Sequence, residues 1–333
     1  MRWRRIVPLQ QVRILTYHHV NEHDDAYPYD PDVADASPAQ FRRQMEMLAR
    51  YGTPIGIDEL LRAVDGEPLP KNPVMVTFDD GYRSCHDVAL PILRAVGLRA
   101  TFFVATSFVS ERRLYWWEKL ALALERARKP HGTIRYPHEA HVTARDAKTR
   151  AWANDLIKCT PGLDVDRFVT EIATALDCEW SEAIEREHAD RLIMTWDHVR
   201  ALVRAGMDVE SHTRHHRVLR TLAPHRLSAE LAGSRADLEA QLGRPVRALA
   251  YPVGQPIANH PHLREAVIAA GYHLGFTNTG GMNRVWPRPF SQFLPVDRFD
   301  VGRLPVDREM SDAMWLAQLV FPQLAYVSRH DGE

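Results

Sequence analysis

Two adjacent carboxylates, Asp79 and Asp80, follow an apolar run in the segment TFDDGY at positions 77–82. Neighbouring carboxylates are costly to ionise side by side unless a cation compensates one of them. A divalent metal meets this requirement, because one carboxylate binds the metal while the other accepts a proton from water. The alternative is a structural Asp-Asp-Gly turn between a strand and a helix, and this segment alone leaves both interpretations open.

Three histidines lie within five residues in the segment ESHTRHH at positions 210–216. His212 and His216 are four residues apart, a spacing that places both imidazoles on one face of a helical turn. Two imidazoles and one carboxylate form a facial metal site that leaves positions for water and substrate. His215 is also available, so spacing alone does not decide the pair. The alternative is a solvated polar loop, which the clustering makes less favoured.

Two other segments carry polar residues directly after apolar runs. His18 and His19 stand in LTYHHV, and an imidazole with a pKa of ~6.5 suits proton donation near neutral pH. Taken alone, however, a histidine that is simply hydrogen-bonded at a strand end is the better interpretation. The segment AYPVG at positions 250–254 by itself predicts only a tight turn.

Composition excludes several classes of protein. The 333 residues are 45% hydrophobic with a net charge of −1, which is typical of a soluble globular chain without an overall field for nucleic acid or membranes. No stretch reaches the ~20 apolar residues of a membrane span, and the basic N-terminus lacks the apolar run of a secretory signal. The odd, widely spaced Cys85, Cys159 and Cys178 favour a reducing compartment. We therefore expect a cytoplasmic protein, within reach of the inner face of the membrane.

Strands and helices alternate along the chain, which predicts a parallel sheet, either open or closed into a barrel. The polar clusters follow strands, at the edge where active sites of both architectures lie. The predicted strands are Val12–Tyr17, Val74–Phe78, Thr101–Val104, Met207–Ser211, Ala248–Tyr251, Leu274–Thr277 and Val296–Val301. Helices are predicted to begin after Ser37 and Thr195, and an amphipathic helix is predicted at Ser311–Phe321.

Residues 110–190 break this alternation, because they contain no clear buried strand. We predict helices at Trp116–Arg128 and Asp166–Leu176 there, with a loop at Lys129–Pro137 between them. Tyr115–Trp117 could stack on a sugar but fits a helix core better. The predicted organisation is a first part of the catalytic domain at 1–109, a helical insertion at 110–190, a second part at 191–305, and a C-terminal helix and tail at 306–333.

Together the motifs resemble the polysaccharide deacetylases, carbohydrate esterases of family 4 type with a NodB-homology domain. That family has a TFDDG segment, then an H-[ST]-x-x-x-H-like segment, then a proline-glycine loop, matched here by TFDDGY, SHTRHH and AYPVG. The early LTYHHV is similar to the exopolysaccharide- and biofilm-associated branch. The resemblance covers about Val12–Val301, interrupted by the insertion. It implies an α/β fold, a distorted (β/α) barrel of about seven parallel strands.

The resemblance also implies roles for individual residues. Asp79 matches the catalytic base, and Asp80, His212 and His216 match the metal ligands. His18 matches the general acid of the biofilm-associated branch, with His19 as the alternative. The substrate-binding residues that the family pattern matches are Tyr82, Tyr251, Pro252 and Gly254.

The expected reaction is removal of N-acetyl groups from an amino-sugar polysaccharide or its precursor. The cofactor is a divalent metal, with Zn²⁺ favoured by ligand type and Co²⁺, Ni²⁺ or Mn²⁺ compatible. The expected partner is therefore a carbohydrate and not a nucleic acid, and no oligomeric state is predicted. A related amidohydrolase acting on a small ureide or amide, and a non-catalytic carbohydrate-binding relative, are the alternatives.

Two positions depart from the family pattern, and at one of them Val253 replaces the usual aromatic residue of the loop. An arginine that normally orients the base often stands two residues before the loop proline, where this chain has Ala250. We predict that Arg298 replaces it, because Arg298 follows Val296 and Asp297 at the expected last strand.

Overall fold

The computed structural model describes residues 10–22, 27–280, 283–285 and 296–321. Parts of the predicted segments lie outside the described residues, namely 1–9, 23–26, 281–282, 286–295 and 322–333. The strands of the described part are β1 Gln10–Tyr17, β2 His19–Val20, β3 Ala34–Ala36, β4 Thr53–Pro54, β5 Pro73–Phe78, β6 Thr101–Val104, β7 His131–Ile134, β8 Ala140–Thr143, β9 Asp208–Ser211, β10 Ala248–Ala250, β11 Leu274–Phe276, β12 Asn283–Val285 and β13 Leu304–Pro305.

Seven strands follow one another in the order β11-β10-β9-β6-β5-β1-β12 in a curled, mostly parallel sheet of nine, in which β13 also pairs with β1 and β4 with β5. β12 is antiparallel to β1, whereas the pairs from β1 to β11 are parallel. Alternate residues of β1 enter different parts of the core, because Ile14 packs with one buried cluster and Leu15 with the other. The predicted α/β barrel-like fold is confirmed, in the form of a half-barrel.

The segment after β12 links the two edges of this half-barrel. Val301 pairs with Phe276 of β11 as an isolated parallel bridge, and Leu304 of β13 pairs with Leu15 of β1. The predicted strand Val296–Val301 is therefore wrong in its position, because regular pairing begins only at β13. Arg303 lies two residues after the bridge at Val301. Its side chain is inside the barrel and fully buried.

The helices cover the outside of the sheet and largely follow the predicted signals. Ser37 caps the first helix by accepting a hydrogen bond from the Gln40 amide, and Thr195 caps the ninth in the same way. None of the helices in the described ranges is long and apolar enough to cross a membrane. They are α1 Pro38–Tyr51, α2 Ile57–Val64, α3 Leu90–Ala95, α4 Thr106–Glu111, α5 Trp116–Glu125, α6 Ala147–Cys159, α7 Val165–Ala175, α8 Glu182–Leu192, α9 Trp196–Arg204, α10 Pro224–Leu242, α11 Pro261–Ala269 and α12 Asp312–Val320.

The insertion lies between β6 and β9, which are neighbours in the sheet. It contains the predicted helices, but the predicted loop Lys129–Pro137 is wrong because β7 and β8 form a hairpin there. The hairpin strands are short and largely exposed, so they lack the apolar run that marks a buried strand. Tyr115–Trp117 is buried, which confirms the core interpretation. The domain boundaries at 110, 190 and 306 stay predictions.

Candidate active site and metal centre

The predicted site residues come together at the carboxyl edge of the sheet. β1, β5, β6 and β9 are parallel neighbours, so the residues that follow them meet at one edge. His18 follows β1, Asp79 and Asp80 follow β5, and His212 follows β9. The sheet thereby collects residues that are almost 200 positions apart in the chain.

Asp80, His212 and His216 form a buried cluster with one potential metal-binding atom each. The Oδ1 atom of Asp80 lies 3.3 Å from Nε2 of His212 and 3.4 Å from Nε2 of His216. One carboxylate oxygen and two imidazole nitrogens are the donor set of a Zn²⁺-type site with open positions. The geometry therefore supports the predicted triad.

Each of the two histidines turns its Nε2 atom toward Asp80. Nδ1 of His212 lies 2.8 Å from the carbonyl oxygen of Ala250, so Nδ1 donates to this carbonyl and Nε2 is the nitrogen that faces Asp80. Burial lowers the pKa of His216 to about 3, so its ring is neutral at pH 7. For Asp80, burial opposes ionisation, but the contacts with both histidines hold its pKa below its usual value. The residues present thus fit a divalent metal.

The backbone around the triad is strained. Asp80, Thr213 and His216 have φ values of 70°, 64° and 49°, in the left-handed region that residues other than glycine rarely adopt. Such strain persists where the surrounding structure enforces it, commonly at functional sites. Here it accompanies a backbone path that brings the candidate ligands Asp80 and His216 together.

His215 is separated from the triad. Its Nδ1 lies 2.6 Å from Oε1 of Glu230 on α10, and its ring is partly exposed. The structure therefore groups His216, and not His215, with Asp80 and His212.

Arg303 holds Asp79 in place, a role that the sequence analysis missed. Its two terminal nitrogens each lie 2.6 Å from one carboxylate oxygen of Asp79, and its Nε donates to the carbonyl of Thr277. Burial alone would raise the pKa of Asp79, but Arg303 outweighs it and lowers the pKa to about 2. The predicted orienting residue Arg298 is wrong, because its guanidinium instead bonds Asp65 at the surface.

His18 is paired with a second buried carboxylate, that of Asp35 on β3. Nδ1 of His18 lies 3.1 Å from Oδ2 of Asp35, which also accepts a hydrogen bond from the His18 amide. Burial alone would lower the pKa of His18, but Asp35, Asp80 and Asp79 together raise it to about 9. His18 is therefore protonated at neutral pH.

The alternative acid, His19, has a different environment. Its Nδ1 lies 2.6 Å from the hydroxyl oxygen of Ser84, and its ring stacks on Tyr82 with centroids 4.8 Å apart. The carboxylates of Asp79 and Asp80 act electrostatically on His18, and they favour His18 as the acid.

The side chain of Tyr82 is buried beneath the site. Its hydroxyl donates to Oε1 of Glu118 at 2.6 Å and accepts from Nε1 of Trp117 at 2.8 Å. The Trp117 ring in turn packs against His216, with centroids 4.7 Å apart. Helix α5 of the insertion thus supports a metal-ligand candidate directly.

The loop after β10 supports the site from the other side. The Tyr251 hydroxyl donates to the carbonyl of Phe299 at 2.7 Å, so its ring fills the barrel rather than an open groove. Pro252 begins a short 3-10 turn, and a Cβ on Gly254 would lie 2.4 Å from Cβ of Asn278. The predicted contacts of Pro252 and Gly254 with substrate stay predictions.

A second cluster that contains two histidines is less suited to hold a metal than the buried triad. His86, Asp87 and His198 lie close together near the surface, but the two imidazoles stack with centroids 4.5 Å apart. Nδ1 of His198 accepts the Thr195 amide, so the neutral ring carries its proton on Nε2. His198 therefore helps to cap the amino end of α9.

Solved structures share this fold. The Streptococcus pyogenes deacetylase PplD, in complex with acetate, is 18% identical over 93% of this chain and 99% of its own, with a TM-score of 0.60. IcaB from Ammonifex degensii is 20% identical over 94% and 97%, with a TM-score of 0.56. The BpsB deacetylase domain from Bordetella bronchiseptica is 18% identical over 90% and 97%, with a TM-score of 0.53.

No curated protein matches the sequence. The polysaccharide deacetylase family model matches residues 66–155 and 167–275, together more than half of the chain. Those two stretches contain Asp79 and Asp80 in the first and His212 and His216 in the second. The chain therefore belongs to the polysaccharide deacetylase family.

Proposed function

We propose that this protein is a metal-dependent hydrolase that removes N-acetyl groups from an amino-sugar polysaccharide or its precursor. The observation that carries the proposal is the buried triad Asp80, His212 and His216 beside a carboxylate that is held in place by Arg303. A carbohydrate-binding protein has no use for such a carboxylate. The family supports deacetylation, and the related PplD has been solved with acetate, the product expected here.

The triad is proposed to hold Zn²⁺, with Co²⁺, Ni²⁺ or Mn²⁺ as alternatives. A divalent metal supplies a Lewis acid for the amide oxygen and lowers the pKa of water at the site. Ala250 fixes the ring of His212 through its carbonyl, and Trp117 packs on that of His216, so both ligands are oriented in advance.

Asp79 is the proposed general base. Arg303 keeps its carboxylate ionised and fixes both oxygens, which positions the base for a proton from the attacking water. The same ion pair lowers the basicity of Asp79, since its pKa falls to about 2. Proton transfer to such a weak base requires a water of lowered pKa, which a divalent metal held by the triad would supply.

His18 is the proposed general acid. An amine leaves an amide only after it has been protonated, so cleavage requires a donor on the leaving-group side. The ion pair with Asp35 keeps His18 protonated through neutral pH, and it fixes the ring through Nδ1. The backbone N–H of Tyr82 is the proposed donor to the negative charge that develops on the substrate oxygen.

Acetate release tests this proposal. The zinc-loaded protein is expected to release acetate from acetylated chitooligosaccharides, to lose this activity with a chelator, and to regain it when Zn²⁺ is restored. Ammonia release from a panel of ureides would favour the amidohydrolase alternative. Bound metal without turnover on any acetylated glycan would contradict the proposal and favour a binding protein.

A further inference from the structure

The start of helix α5 contacts two of the three candidate metal ligands. The hydroxyl of Tyr115, the residue just before the helix, donates to the backbone carbonyl of Asp80 at 3.0 Å. The Trp117 ring packs on the His216 ring, and it also stacks on Tyr115 with centroids 4.6 Å apart. The insertion therefore reaches the metal site, although it contributes no ligand candidate of its own.

The ring of His216 lacks the hydrogen bond that orients the ring of His212. Nδ1 of His212 donates to the carbonyl of Ala250, whereas Nδ1 of His216 has no hydrogen-bond partner among the residues that the structure describes. The His216 ring instead packs against the rings of His212 and Trp117, each with centroids 4.7 Å away. Its orientation therefore depends on packing, and a movement of Trp117 would reach this ligand candidate.

Trp117 is held in place by a chain of two hydrogen bonds that ends at Glu118. Its Nε1 donates to the hydroxyl oxygen of Tyr82 at 2.8 Å, and this hydroxyl donates to Oε1 of Glu118 at 2.6 Å. A tyrosine hydroxyl has one proton, so its donation to Glu118 leaves the oxygen lone pairs free to accept from Trp117. Glu118 thereby sets the direction of the bond that fixes the indole ring.

The second oxygen of Glu118 holds another part of the active site. Oε2 accepts the backbone N–H of Asp30 at 2.7 Å, and Asp30 lies between β2 and β3. Strand β3 carries Asp35, the partner of His18. The side chain of Glu118 is fully buried and therefore joins α5, the Tyr82 loop and the segment that leads to Asp35.

We propose that Glu118 is a positioning residue of the metal centre, which acts through Tyr82 to hold the Trp117 ring against His216 and so sets the affinity for the divalent metal. This inference rests on the proposed function, since it takes the buried triad as the metal site. A ligand that is oriented in advance loses less freedom when the metal binds. Groups that orient metal ligands from behind typically change metal affinity 10–100-fold.

Zinc affinity, measured by competition with a chromophoric chelator, tests this role. Glutamine can accept through only one of its two terminal atoms, so Glu118→Gln loses its contact with either Tyr82 or Asp30. Tyr82→Phe removes the hydroxyl that links Glu118 to Trp117. Each variant is expected to bind zinc about tenfold more weakly, and the double variant should lose little more, because both changes break the same chain.

Glu125→Gln is the matched control, since Glu125 is an exposed residue of the same helix, and its zinc affinity should equal that of the wild type. All affinities are measured below the thermal transition of the zinc-free proteins, so that only folded protein is compared. A merely structural role would lower the unfolding temperature and leave the zinc affinity of the folded protein unchanged.

Unchanged zinc affinity in either single variant would overturn the inference, and so would losses that add in the double variant. In both cases the wild type still binds zinc, so the proposed function would stand. A wild-type protein that binds no zinc would instead overturn the proposed function together with this inference.

Discussion

Replacing Asp35 with asparagine is expected to move the pH range in which the enzyme works. Asp35 is the nearest carboxylate to His18, at 3.1 Å, and it stands apart from the metal-ligand candidates. Asparagine keeps an oxygen that can accept the His18 amide hydrogen bond, so the local backbone is preserved. The substitution therefore removes a charge and little else.

The size of the effect follows from the pKa of His18. Burial alone would lower that pKa, yet the surrounding carboxylates raise it from 6.5 to about 9. A metal bound at Asp80 would oppose the attraction from Asp79 and Asp80, but the attraction from Asp35 would remain. Removal of one hydrogen-bonded carboxylate lowers the pKa of its partner by about 1–2 units.

The direction is fixed by the role of His18 as an acid. Activity requires the protonated ring, so it is lost as the pH rises through the pKa of His18. In Asp35→Asn the alkaline limb of kcat/KM for acetate release should therefore move down by about 1–2 pH units. Asp65→Asn, at an exposed ion pair with Arg298, is the control and should leave the profile unchanged. An alkaline limb that stays in place in Asp35→Asn would refute the assignment of His18 as the acid.

Three further substitutions test other parts of the site. Arg303→Lys keeps a positive charge but loses the two-point contact with the base, so kcat should fall at least tenfold with unchanged metal content, while Arg298→Ala should keep full activity. Trp117→Ala removes the ring packed on His216 and should weaken zinc binding about tenfold, as measured by competition with a chromophoric chelator. Tyr251→Phe leaves a buried carbonyl without its donor, so thermal unfolding should show a loss of about 1–2 kcal/mol while kcat/KM is unchanged. An unchanged kcat in Arg303→Lys, an unchanged zinc affinity in Trp117→Ala or a reduced kcat/KM in Tyr251→Phe would contradict these expectations.

The metal-ligand candidates could be predicted from sequence because each stands within a few residues of a strand end. Asp79 and Asp80 follow β5 directly, and His212 and His216 share one short segment after β9. The parallel sheet then needs only to align those strand ends. The alternation of strands and helices predicts that these segments converge, and the structure bears this out, whereas the choice of His216 rather than His215 came from the family resemblance.

The supporting residues could not be predicted in the same way. Arg303 lies 224 positions from Asp79, and sequence spacing gives no reason to prefer it over Arg298. The last strand begins at Leu304 and not at Val296. The Arg303 side chain is therefore buried in the barrel, whereas Arg298 lies at the surface. Asp35 likewise stands in a three-residue strand with no distinctive pattern.

Paired substitutions at the two neighbouring aspartates test the central claim most directly, with zinc content and acetate release measured on the same samples. Asp80 is assigned to the metal and Asp79 to the proton, so we expect different results for these two residues although they are adjacent in the chain. Asp80→Ala should lose both zinc and acetate release, whereas Asp79→Asn should retain zinc and lose acetate release. Sustained acetate release by zinc-loaded Asp79→Asn, or full zinc content in Asp80→Ala, would contradict the account.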